Sequence, residues 1–243
     1  MMELAALTAA IFIVAVLYSS VGHGGASGYL AVMALFSSVS PQTTRPSALI
    51  LNIIVSLIAS ISFWREGHLD FRLLLSVAIP SVPLAYIGGT INLSDEIYGL
   101  ILGISLLLAS FRLAWKFDRI EEIKIPNTYG LLLIGAVIGL ISGLVGVGGG
   151  IFLTPLLLLM RWATAKRAAA VSAVFILVNS IAGLVGSQVD VQKLPTDVLL
   201  WLFVALLGGV IGSSMGSRKF DSLMLRRALA IVLVIAGIKL ILV

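Results

Sequence analysis

The sequence predicts an all-α, polytopic membrane protein built as two inverted repeats, with about 8–10 helical segments and two broken or re-entrant Gly-rich helix hairpins. Three observations predict it. With 60% apolar residues, 11% charged residues and a mean hydropathy of +1.15, a chain of 243 residues has too little polar surface to cover a soluble particle. Its charges gather in short clusters between apolar runs of about 16 to 19 residues, near the length that crosses a bilayer as a helix. Finally, "SVGHGGASGY" at 20–29 returns about one half-chain later as "LVGVGGGIFL" at 144–153.

Taken in order, the chain starts "MMELAALTAAIF", which has no basic n-region and reads as mature helix, not as a cleaved signal peptide. The first run, 4–36, is about twice the length of one membrane-spanning helix and holds the first glycine cluster. Runs 47–64, 73–91 and 97–115 follow. The charged stretch "KFDRIEEIKIPNTYG" closes a first repeat, 1–116, and contains a linker, 117–128. The second repeat, 129–243, opens on another double-length run, 129–160, with the second glycine cluster inside it, and continues with runs 168–186, 198–215 and 228–243. The order long, medium, medium, medium therefore occurs twice. Superposing Gly22-His23-Gly24-Gly25 on Gly146-Val147-Gly148-Gly149 also brings "VSLIAS" (55–60) to within a residue of "VNSIAG" (178–183). Pro155, and the pair Pro80 and Pro83, predict kinks or unwinding in their helices.

Charge decides the orientation of the repeats. If each long run crosses once, Lys and Arg divide evenly between the two faces. If each long run turns at its glycines and returns to the side it left, Arg45, Lys193 and Lys239 fall on one face and the other thirteen of the sixteen basic residues on the opposite one. Positive-inside statistics select the second arrangement. Each half then crosses an odd net number of times, so the second is inserted upside down, both termini are extracytoplasmic and the linker is cytoplasmic. The 33 residues of 4–36 make about 50 Å of helix, enough for two short or tilted arms. The basic pI of about 9.7 is explained by these flanking charges and calls for no nucleic-acid partner.

An unpaired backbone amide in hydrocarbon costs several kcal/mol, so a helix is broken there only where protein or a water-filled cavity surrounds the break. Glycine permits the turn and a close backbone approach. Helices restarting near Ala26–Ser27 and Gly150–Ile151 would point free N–H groups and the positive ends of their dipoles into the breaks, which suits an anion. The alternative is that the glycines only allow close helix packing. Because His23 and Ser27 face Val147 and Ile151 in the other copy, such a site is chemically lopsided.

Few other polar groups lie at membrane depth. Asn52, Ser56 and Ser60 share one helix face; Ser172, Asn179 and Gly183 share another. They line an anion path or hydrogen-bond between helices. His23 is the one histidine inside an apolar run, and serves as a proton carrier or as a neutral group bonded within the break. His68, in "REGHLDFR", reads as solvated. The candidate anion-binding residues are His23, Gly24, Gly25, Ser27, Asn52, Gly148, Gly149, Gly150, Thr154 and Asn179. No catalytic constellation, metal site or cofactor is expected: there is no cysteine, no buried carboxylate pair and no metal-ligand cluster.

The duplicated motifs "GHGGASGYL" and "GVGGGIFLTPLL", in a duplicated membrane chain of this size, resemble those of the sulfite exporter TauE/SafE family, also called the TSUP family. The second motif is the closer match; the first departs at His23 and Ala26. The resemblance covers essentially the whole chain and implies a transporter of small sulfur-containing anions, such as sulfite or sulfonates, in a prokaryotic cytoplasmic membrane. Export needs no coupling ion, since a negative charge leaving a negative interior gains about 2.3 kcal/mol per 100 mV, nearly 50-fold in concentration. The alternative from another class is a non-transporting membrane subunit or partner-binding protein.

Overall fold

The structure is a computed structural model and describes residues 2–36, 41–114, 123–189, 194–218 and 223–242. Residues 117–122 of the expected linker, and Lys116, Arg119, Lys193 and Lys219 of the charge count, lie outside the described residues. What is described is helical, with no strand: α1 Met2–Ser20, α2 Ala26–Phe36, α3 Pro41–Arg65, α4 Phe71–Thr90, α5 Asp95–Ala114, α6 Thr128–Val145, α7 Gly150–Leu159, α8 Ala165–Gly186, α9 Val198–Arg218 and α10 Leu223–Leu242.

Five of these segments are long and apolar enough to cross a membrane: Thr43–Arg65, Phe71–Thr90, Thr128–Val145, Ala165–Gly186 and Val198–Gly216. Large apolar side chains such as Ile79, Leu133, Val185 and Phe203 are exposed on the outside, as lipid-facing positions are. Glycines line several of the helix contacts inside. On α6, Gly135, Gly139 and Gly143 lie against the backbone of Val77, Ser81 and Ala85 on α4, and on α9 Gly208, Gly212 and Gly216 do the same to α1. Where lipid is as apolar as the core, such close backbone approach supplies much of the attraction between helices.

The two halves exchange their partners. Helix α1 packs on α9 and α6 on α4; α3 packs on α9 and α8 on α4; α3 meets α8, and α5 meets α10. Each contact made by a helix of one half on the other has its counterpart with the halves interchanged, so neither half is a separate layer.

Both double-length runs break and fold back. Gly28 at the start of α2 lies so close to α1 that a Cβ there would stand 2.8 Å from a ring carbon of Tyr18. In the second half the Lys124 N–H, just before α6, donates to the carbonyl of Arg161, just after α7, at 2.8 Å. The chain thus comes back to the end it left. That same end carries a cavity of about 220 Å³ lined by Asp70 and Arg72 at the start of α4, Thr128 at the start of α6 and Arg167 at the start of α8. His68, in the turn between α3 and α4, is held below the ordinary imidazole range by partial burial and then by the Lys166 cation of α8, with Glu66 opposing. At the opposite end the start of α3 meets the last turns of α4 and α6, joined by Arg45.

The prolines do not interrupt the helices. α4 is helical through Pro80 and Pro83, and α7 through Pro155. Helix α3 also differs from the apolar run, starting at Pro41 and so drawing in Arg45. A polar stretch that looks like a flanking loop is helical here because α4 and α6 offer carbonyls to its guanidinium.

Candidate functional site

The breaks occupy residues 21–25 and 146–149, and the helices restart at Ala26 and Gly150. Helix α6 ends in a left-handed Gly146, whose N–H donates to the Ser142 carbonyl at 2.8 Å. Gly148 and Gly149 have φ of +76° and +78°, a region that other residues enter only with strain. Gly149 caps α7 without any side-chain hydrogen bond to the first turn, so the cap itself supplies no side-chain acceptor to the N–H groups that open α7.

Both breaks converge on one side chain. Asn52, fully buried near the midpoint of α3, accepts from the Ala26 N–H through Oδ1 at 3.1 Å and donates from Nδ2 to the Ser180 hydroxyl of α8 at 2.8 Å. Gly24 lies against its carbonyl oxygen and Gly148 against its amide nitrogen, each closer than a Cβ would allow. The counterpart of Asn52 under the repeat superposition is Ile176, which touches Gly148 and Gly150. One asparagine therefore bonds the start of α2 and lies against the second break.

A second link joins the hairpins directly. His23 Nδ1 donates to the Val21 carbonyl at 3.0 Å, because a carbonyl only accepts. Its Nε2 stands 3.2 Å from the Thr154 hydroxyl of α7, which donates to Ser172 at 2.7 Å. Of the candidate residues, His23, Gly24, Asn52, Gly148 and Thr154 are thus brought together, with Gly149 and Gly150 beside them. Ser27 is bonded to the Tyr18 hydroxyl at 2.8 Å, and Gly25 lies under the Tyr29 ring. Asn179 is turned to another interface: its Oδ1 accepts from Ser81 of α4 at 2.8 Å and its Nδ2 donates to the Phe175 carbonyl at 2.9 Å. Ser56 and Ser60 bond to carbonyls of their own helix.

Two hydroxyls beside the breaks escaped the sequence. Among the described residues Tyr29, at 0% exposure, has no partner for its hydroxyl, which lies against Gly25; Ser142, equally unpartnered among them, lies beside Gly149. An orphaned buried hydroxyl is costly enough to invite a ligand. Tyr29 lies within the first motif, but an aromatic there reads as apolar filling. Arg45 also escaped, because a basic residue just outside an apolar run reads as a flanking charge.

The profile of the sulfite exporter TauE/SafE family matches residues 7–240. This chain belongs to that family. It is 38% identical over 98% of both chains to the probable membrane transporter protein y4hK of Sinorhizobium fredii. The probable membrane transporter protein YunE of Bacillus subtilis is 24% identical over 86% of this chain and 84% of its own, and MJ0441 of Methanocaldococcus jannaschii, described in the same terms, is 28% identical over 72% and 68%. No solved structure matches. As a TauE/SafE member with five or more apolar helices, the chain is a multi-pass membrane transporter.

Proposed function

We propose that this protein exports small sulfur-containing anions, sulfite, sulfonates or similar, across the cytoplasmic membrane of a prokaryote through one site at the meeting of two opposed helix breaks. The observation that carries this is the convergence of both breaks on Asn52 at the middle of α3: the Ala26 N–H that opens α2 is bonded to it, and Gly148, two residues before α7, lies against it. Two positive helix ends directed at one buried point favour an anion. The hydroxyls of Tyr29 and Ser142, beside the same breaks, supply donors that a sulfonyl oxygen accepts. The family name supplies the sulfur; the membrane potential supplies the direction.

Inverted repeats fit this site. Helix α3 starts at the end where α4 and α6 finish, whereas α8, its counterpart, starts at the end where α4 and α6 begin. Antiparallel counterparts support a second half inserted upside down, with the basic end, carrying Arg72, Lys124 and Arg167, in the cytoplasm. In a cysteine-free chain the topology is directly testable. A cysteine at Asn127 should resist an impermeant maleimide added outside intact cells and react once the membrane is opened; labelling from outside would reverse the assignment.

The function is tested with purified protein in liposomes. Labelled methanesulfonate or sulfite should enter at a rate raised by an inside-positive potential, in vesicles containing this chain alone. Vesicles that take up no sulfur anion at either polarity would remove the reading.

A further inference from the structure

Arg45 is a buried cation without an acidic hydrogen-bonding partner among the described residues. It is 8% exposed. Nη2 donates to the carbonyls of Gly88 and Gly89 at 3.1 Å each and to that of Gly143, and Nη1 reaches the Ile91 carbonyl at 3.4 Å. Nε, also buried, has no partner among the described residues. The stem of the side chain lies against Gly146, the first glycine of the second break.

We propose that Arg45 is the resident counter-charge for the transported anion, held beside the second break by helix-end carbonyls until the anion takes over its hydrogen bonds. This rests on the anion-transport reading above and adds the charge that reading lacks. The last carbonyls of α4 and α6 carry the negative ends of two helix dipoles. They hold a guanidinium in place, but being neutral groups they leave its net charge uncancelled. A buried charge in a membrane segment is costly unless something of opposite sign offsets it. A cap for two helix ends explains the Nη contacts alone. It leaves unexplained the unpartnered Nε, which with the neighbouring Nη forms the fork that grips two oxygens of a planar or pyramidal oxyanion.

Position agrees with this role. Asn52 is seven residues further along α3, about two turns or 10 Å, on the same face. An anion at the helix starts therefore meets Arg45 as it moves toward that end. The position equivalent to Arg45 is Ala169, which lies against Gly22 as Arg45 lies against Gly146. One half of the site carries the charge and the other does not, which gives the path a direction.

The test measures binding by the full chain in nanodiscs, wild type against Arg45→Gln and Arg45→Lys, with methanesulfonate, sulfite, acetate and chloride as probes and neutral dimethyl sulfone as the control. The Gln variant should bind methanesulfonate about 100-fold more weakly, the loss expected for a hydrogen bond to a charged group, with dimethyl sulfone unaffected. The Lys variant should lose more for methanesulfonate, which uses the fork, than for chloride, which has none. If Arg45→Gln does not fold, that ratio in Arg45→Lys decides: equal losses for the two anions would mean a cap and overturn the proposal, as would wild-type affinity in either variant. Binding of acetate or chloride without any sulfur anion would sink the sulfur reading and leave Arg45 to be judged on those probes. A wild type that binds none of the anions overturns both.

Discussion

Replacing Gly148 by leucine should abolish transport while leaving the protein inserted and folded, and Gly24→Leu should do the same. Gly24 is the cleaner test. Its backbone lies outside the left-handed region, so nothing but space forbids a side chain, and the space is occupied by the Asn52 carboxamide and by the backbone of α3. At Gly148 a Cβ would stand 2.8 Å from the Ser180 hydroxyl and closer still to the Asn52 amide, and φ of +76° adds about 1–2 kcal/mol of strain. In both variants the added carbons drive the break away from Asn52, around which the anion is proposed to bind. Initial rates of methanesulfonate entry, per inserted protein, should fall by about 100-fold or more, some 2.7 kcal/mol. Gly67 is the control: it too has positive φ, +72°, but nothing lies within 4 Å of its Cβ position. Gly67→Ala should lose stability through strain and keep its rate. Wild-type transport by both Leu variants would reduce the glycines to packing residues.

Asn52→Leu should slow transport about 100-fold, whereas Asn179→Leu should chiefly lower stability. Both asparagines are fully buried and both are near the middle of a long helix; their partners differ. Without Asn52 the Ala26 N–H loses its acceptor at the start of α2 and the Ser180 hydroxyl loses its donor. Each unpaired buried group costs about 1–3 kcal/mol, and the loss falls on the geometry that holds the two breaks together. Asn52→Asp keeps the acceptor but loses the donor, and brings a negative charge to where the anion must bind, so it should be no better. Asn179 is bonded to Ser81 and to its own helix, and to no residue of either break. Its loss should loosen α4 from α8 and appear in the melting temperature of the detergent-solubilised protein, with transport per folded molecule retained. Equal transport defects in the two Leu variants would refute the separation of site from scaffold.

Much of this architecture could be read from the residues alone. Composition established the solvent, and because every backbone group must be satisfied inside a bilayer, the solvent left helices as the natural solution. The breaks were legible, with restarts expected near Ala26–Ser27 and Gly150–Ile151 and found at Ala26 and Gly150, since three closely spaced glycines in an apolar run have no lipid-facing use. The recurrence of the glycine motif was legible too, because the two copies share spacing. The unwinding expected as one alternative at the prolines is absent, since α4 and α7 are helical through them.

Only the tertiary structure distinguished Asn52 from Asn179, freed the hydroxyls of Tyr29 and Ser142, and buried Arg45. In a soluble protein a polar stripe marks the outward face, but within a bilayer core and lipid are equally apolar and that periodicity fades. Which helix an asparagine addresses is then decided by chain segments about 100 or more residues away: Asn52 meets Ser180 across 128 positions and Arg45 meets Gly143 across 98. No local pattern encodes those distances. They exist because helices of the two halves pack against one another.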